Sequence, residues 1–459
     1  MFDLNATLVV ISLLLLFVVL GVDVAVALGV TAFAGLFLVF GDVQVVLSFL
    51  GSTANESLRD QVFAIVPLFI LMGEFIARCG AAGDIYSAIN RNLSRIPGRL
   101  AHATVLGNTV FSFVTGTSLA SATTFTRIAY PEMKRFGYHR GFSLGVIAGS
   151  ASLGLLIPPS IFMVIWGILT EQSIGSLFIA GIIPGFLLAG MMMLYISTVG
   201  WLAPARVGIG HSERVDAPLP PSTPETDPAI AEIVPPLDGT KSSVTISGIG
   251  ILAIICGSLG GIWMGFFTPT EGAGIGALMG LALGIAKGMR WPEIQATVLA
   301  VGRSSVPIMV LIFAAQLYSR MLALTGVGAA VADSLVGTGF GPIGTLAIMF
   351  AIWFVMGMLV DSVSIMLLTV PIFAPASVLL GFDPIAFALI GILAIEAGVL
   401  TPPFGLLVYA VKSVVPDDDV TLGHIFRGSI VFWGMLLGLS TAIAFVPEIA
   451  TFLPSIIEP

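Results

Sequence analysis

The sequence predicts an all-α polytopic membrane protein made of two inverted repeats, each with a re-entrant helical hairpin and a proline-broken helix. Three observations predict it. The first is composition: the 459 residues are 57% hydrophobic and only 10% charged, against about 25% charged in a soluble domain. Apolar runs of 16 to 25 residues recur along nearly the whole chain, the length a bilayer core demands. The second is a duplication of helix-breaking landmarks. Pro67 and Pro307, and Pro131 and Pro371, are 240 residues apart; Gly116 and Gly357 are 241 apart; Gly137 and Gly381, and Pro158 and Pro402, are 244 apart. Breaks at matching places in two halves of an apolar chain point to a secondary transporter with a midplane site. The third is charge placement, which orients the two halves oppositely.

The elements follow in order. Residues 1–202 form the N-terminal half, with helices expected at 5–20, 24–40 and 61–78 and a semi-polar interfacial stretch at 43–60. The stretch 6–20 lacks a small-residue cleavage site, so it is expected to be a span and not a removed signal peptide. A hairpin at about 101–131, a broken helix at 142–168 and a helix at 177–202 complete this half. Residues 203–243 hold eight prolines, six acids and three bases, the composition of an extended linker. The C-terminal half, 244–459, is expected to carry helices at 244–267, 272–286 and 304–325, a hairpin at about 341–375, a broken helix at 385–411 and a last span at 428–446.

The hairpin assignment rests on length. The segments flanking Gly116 and Gly357 run about 12–16 residues, roughly 18–24 Å of helix, short of a core of roughly 30 Å. Such segments enter and leave on one side, and non-helical backbone at that depth survives only when buried or lining a wet cavity. Arg91, Arg95 and Arg99 precede the first hairpin, and Arg127, Lys134, Arg135 and Arg140 follow it. Residues 321–411, around the second hairpin, contain no Lys or Arg. The positive-inside rule then opens the first hairpin to the cytoplasm and the second to the other side. The linker falls inside and both termini outside.

Several residue sets carry candidate chemistry. The first tip, residues 115–124 (TGTSLASATT), sets small hydroxyls at a turn. They either offer oxygens to a hard cation and leave helix amides free for an anion, or simply let helices pack closely. At the second tip Asp361 is a carboxylate in an otherwise uncharged stretch. It marks an ion path, caps the second hairpin helix, or does both. The double prolines Pro158-Pro159 and Pro402-Pro403 free upstream carbonyls which, with Ser160 or Thr401, suit sodium; a plain packing kink is the alternative. Glu74, Glu271 and Glu396 fall at span edges or face bundles, and Glu271 is placed to cap the helix after Thr268. Arg127 lies nine residues beyond Ser118, about 13 Å along a helix. It serves there as an orientation charge at the cytoplasmic rim or as an anchor for a substrate carboxylate. Cys79 and Cys256 lie in or beside apolar spans and read as core packing. His102, His139, His211 and His424 lack ligand spacing, and no phosphate-binding loop implies a nucleotide. The net charge of −8, without a basic cluster, gives no sign of nucleic acid.

At these residues the chain strongly resembles the large membrane subunit of TRAP transporters, the tripartite ATP-independent periplasmic transporters of the ion transporter superfamily. The resemblance is carried by 67–74 (PLFILMGE), the 116–124 tip, 128–138 (IAYPEMKRFGY), 157–160 (IPPS), 180–185 (AGIIPG), 267–271 (FTPTE), 357–361 (GMLVD) and 396–405 (EAGVLTPPFG), in order along most of the chain. It implies a sodium-driven importer of organic acids in the bacterial or archaeal cytoplasmic (inner) membrane, moving as an elevator. It also implies two partners, a small four-helix membrane subunit and a periplasmic substrate-binding protein. Sodium is the implied coupling ion. The resemblance places one sodium around Ser118, Gly154 and Pro158, and another around Gly357, Asp361 and Thr401. The substrate anion would lie between the tips, at Thr117, Ser118, Ser362 and Thr401, with Arg127 a further candidate. Two features depart from the pattern: the long linker, and the bulky, charged Phe125-Thr126-Arg127 after the first tip.

Three rival functions remain at this level. A stand-alone ion-coupled organic anion carrier of the same fold would need no partner. An intramembrane enzyme would use Ser118 or Ser121 as nucleophile and His102 as base, yet nothing in the sequence supplies the orienting acid. A passive channel would carry currents far faster than a carrier's turnover.

Overall fold

The computed structural model describes residues 4–93, 95–208, 241–337, 339–415 and 417–457. The expected linker lies largely outside them, as does His211. Its far end is helical, because Lys241–Ile254 begins three residues inside the 203–243 stretch.

The described chain is helical. Among the described residues seven helices are long and apolar enough to cross a membrane, or eight if Arg140–Leu156 and Ile161–Thr170, bent by 40°, form one span. Many outward side chains are apolar, including Leu194 (67% exposed), Leu252 (61%) and Leu278 (67%), as lipid contact requires. Aspartates start three early helices: Asp23, Asp42 and Asp60 each accept the amide two residues on, at 2.9, 2.7 and 3.0 Å. Each satisfies a helix amide that would otherwise lack a partner. Glu271 completes a capping box with Thr268, as expected.

Some boundaries differ from the expectation. The stretch at 43–60 is a helix, Val43–Arg59. The helix expected at 304–325 is Trp291–Thr325, 35 residues with Pro307 inside it. Its early turns carry Glu293 and Arg303, so hydropathy alone started it too late. The helix expected at 244–267 relaxes into a π-turn at Ile255–Leu259 and ends at Trp263. Ala81–Asn92, Val327–Val336 and Glu448–Ile457 are additional helices of 12, 10 and 10 residues, shorter than the apolar run that marks a span.

Glycine sets the closest packing. Pro269–Ala286 lies on Ile65–Arg78. A Cβ on Gly280 would stand 3.2 Å from the Met72 carbonyl oxygen, so glycine lets the backbones lie a few tenths of an ångström closer than a side chain would. Leu422–Phe445 crosses Arg140–Ala151 in the same way, at Gly428 and Gly145. This contact joins the last span to the first broken helix. A second bond between the halves is aromatic. Trp166, Trp353 and Phe387 meet with centroids 5.3–6.0 Å apart, bringing together the first broken helix, the second hairpin and the second broken helix. The first hairpin joins them, Arg99–Thr115 packing on Arg140–Ala151 and Ser118–Arg135 on Leu406–Val414, so that both hairpins and both broken helices share one packed core.

Candidate functional site: two hairpin tips on two helix breaks

The first hairpin descends as Arg99–Thr115 and returns as Ser118–Arg135. Gly116 turns the chain at φ +64°, and the Pro159 carbonyl occupies the space a side chain would need. Thr117 caps the return helix, its hydroxyl accepting the Ala120 amide at 3.4 Å. Ser118, Ser121 and Thr115 are buried.

The first broken helix runs Arg140–Ala151, then Leu153–Leu156, and resumes as Ile161–Thr170 beyond Pro158-Pro159, a cis pair. Its break receives the tip: the Ile161 amide donates to the Gly116 carbonyl at 3.1 Å. Gly154 lies against the tip backbone, where an added Cβ would sit 3.0 Å from the Thr117 carbonyl and 3.3 Å from the Ser118 nitrogen. Ser118, Gly154 and the proline break are thus brought together.

The second half repeats the arrangement. Gly341–Gly357 leads to a short turn, and Asp361 caps Ser362–Leu379 by accepting the Ser364 amide at 3.0 Å. The second broken helix runs Pro384–Val399 and resumes at Leu406–Val414 after the cis pair Pro402-Pro403. The Phe404 amide donates to the Met358 carbonyl at 3.3 Å, seating the second tip on the second break. Gly357 faces Gly398, its added Cβ only 2.8 Å from the Gly398 Cα. Thr401 is buried at this break, and its hydroxyl turns back onto the Ala397 carbonyl at 2.6 Å.

Three residues outside the expected set belong here. Glu396, set aside in the sequence as a bundle-facing acid, is wholly buried; Ser362 donates to its Oε2 at 3.5 Å. The others are Glu74 and Arg78, the arginine held by the acid at 2.6 Å. Both line a cavity of about 440 Å³ beside the first tip, together with Thr115, Thr117, Thr123 and Arg127. Arg127 therefore lines the same cavity as the tip residue Thr117. Among the described residues no carboxylate pairs with Arg127. The departure at Phe125-Thr126 is explained by packing: Phe125 is fully buried, edge-on to Phe111 at 5.7 Å and to Tyr86 at 6.4 Å, and fills the space beside Gly107. His102 bonds Gly98 and Ser197, away from Ser118 and Ser121.

Among the described residues no three His, Cys, Asp or Glu side chains cluster. Oxygen for a cation would come from hydroxyls, carbonyls and single carboxylates, the donors a hard cation prefers. The return helices also present their N-termini at the tips, where partial positive charge favours an anion.

A family model described as the tripartite ATP-independent periplasmic transporter, DctM component, matches residues 11–449. The chain belongs to this family. It is a TRAP transporter large membrane subunit, not an enzyme. The C4-dicarboxylate TRAP transporter large permease of Pseudomonas aeruginosa is 29% identical, covering 87% of this chain and 88% of its own length. The ectoine/5-hydroxyectoine large permease of Ruegeria pomeroyi is also 29% identical, covering 96% of each chain. Among solved structures, the YdaH transporter of Alcanivorax borkumensis superposes with a TM-score of 0.61 at 15% identity, covering 97% of this chain and 99% of its own. At that identity the likeness speaks for the fold of this TRAP subunit alone.

Proposed function

We propose that this TRAP subunit is the membrane-crossing part of a sodium-coupled, binding-protein-dependent importer of organic acids in the bacterial or archaeal inner membrane. The observation that carries the reading is the pairing of each hairpin tip with one helix break through one backbone hydrogen bond. Each pairing gathers hydroxyls and freed carbonyls around a turn, as at Ser118 with Gly154 and Pro158, and at Gly357 with Asp361 and Thr401. Sodium at these oxygens orders the tips. Ordered tips aim helix N-termini at a carboxylate between Thr117, Ser118, Ser362 and Thr401, so ion and acid bind cooperatively. Arg127, with no carboxylate partner among the described residues, supplies a planar guanidinium for the acid. The packed core of hairpins and broken helices then crosses as a block, elevator-fashion, with the two halves inverted in the membrane.

A secreted binding protein delivers the acid, and a small four-helix subunit braces the remaining helices. Relatives named for C4-dicarboxylates and for ectoines share the same degree of identity, so the substrate class stays at carboxylate-bearing small molecules. The test is uptake of labelled organic acids into proteoliposomes, with and without the small subunit and binding protein. Uptake that requires both partners supports the reading. Robust uptake by this chain alone would leave a stand-alone carrier in its place.

A further inference from the structure

Glu396 sits where the second broken helix is about to end, and its side chain is 0% exposed. The second tip reaches it through Ser362, and Ser118 of the first tip faces the same carboxylate. The other carboxylate oxygen, Oε1, has no hydrogen-bond partner among the described residues, and no basic side chain pairs with Glu396 there. The position 244 residues earlier in the duplicated half is Ser152, whose hydroxyl donates to the Gly149 carbonyl at 2.6 Å. The duplication therefore installs a carboxylate in one half only. A buried charge without a partner is costly, and a cation beside it removes that cost. A serine that donates its proton to a carboxylate keeps two lone pairs for a cation.

We propose that Glu396, Ser118 and Ser362 form a monovalent-cation site shared by the two hairpin tips. The proposal rests on the sodium-coupled reading above and adds to it a site with a full negative charge. Three elements supply its ligands: the two return helices at their first residues and the second broken helix. A cation here ties both tips to one helix, so that loading one tip favours loading the other.

Equilibrium binding of radioactive sodium to the purified chain with its membrane partner tests this. Glu396→Gln, nearly isosteric, is expected to bind one fewer sodium per chain than wild type. Ser362→Ala is expected to keep the count and weaken one component about tenfold. Wild-type count and affinities in Glu396→Gln would overturn the shared site while leaving sodium coupling intact. If that variant does not fold, unchanged affinities in Ser362→Ala overturn it. A wild-type chain with no saturable sodium binding would overturn the coupling reading itself.

Discussion

Thr117 and Asp361, 244 residues apart, hold the same post: each is the N-cap of the helix that returns from a hairpin tip. The next residue in each case is a buried serine, Ser118 or Ser362. One cap is a neutral hydroxyl and the other a carboxylate, so the two tips share geometry and differ in charge.

The cap and ion roles of Asp361 separate by substitution. Asp361→Ala should lower stability by about 1 kcal/mol, the usual cost of losing a cap. Asp361→Asn should keep the cap and the stability, because an amide oxygen also accepts the Ser364 amide. Both variants should lose sodium-dependent uptake. Normal sodium dependence in Asp361→Asn would reduce Asp361 to a cap.

Seating of the second tip depends on Gly398, where an added Cβ would fall 2.7 Å from the Gly357 Cα. Gly398→Ala should destabilise the purified chain by about 1–3 kcal/mol and reduce uptake with it. Gly190→Ala, with open space around its Cβ, is the control and should melt like wild type. Equal melting of the two variants would show that the tip is not seated as described.

Asp84 and Lys287 form an ion pair with both side chains 9% exposed, and Ser243 and Ser247 also donate to Asp84. Burial alone would raise the Asp84 carboxyl, but Lys287 and the serines outweigh it and hold it low. Lys287→Met strands that carboxylate and should cost on the order of 3 kcal/mol. Adding Asp84→Asn should recover much of the loss. A thermal-unfolding cycle with no coupling between the two sites would contradict the pairing.

Much of this architecture was legible from helix breakers, because glycine and proline act locally and their effect on a helix does not depend on the rest of the fold. The tips at Gly116 and Gly357, the double-proline breaks and the Asp361 cap all belong to that class. Glu396 was not legible as a site residue. Its environment is made by Ser118 and Ser362, 278 and 34 residues away, and only packing brings them together. Arg78 and Glu74 were hidden for the same reason, since the cavity they share with Arg127 lies between separate helices. Ala81–Asn92 and Glu448–Ile457 were not legible because helices of 12 and 10 residues fall well short of the apolar run that marks a span.

Acid should loosen the contact between the first hairpin and the end of the second broken helix. Asp417 accepts from Lys134 at 2.6 Å and from the Tyr130 hydroxyl at 2.9 Å. Burial pushes its carboxyl up, but these two partners more than offset that and hold it below the ordinary range. A depressed carboxyl adds stability above its unfolded value, about 3.9, and loses it as pH falls through the lower folded value. Asp417→Asn should therefore be less stable than wild type at neutral pH, and the gap should close on acidification below about pH 4. A gap that widens in acid would contradict the assignment.

Whether sodium bound at the hairpin tips drives acid uptake is decided by a gradient experiment. Proteoliposomes holding this chain and its small subunit, supplied with loaded binding protein, would receive an inward sodium gradient or the same osmolarity of choline. Accumulation of the acid above its outside concentration is expected with sodium and none with choline. Equal accumulation under both conditions would contradict sodium-driven uptake.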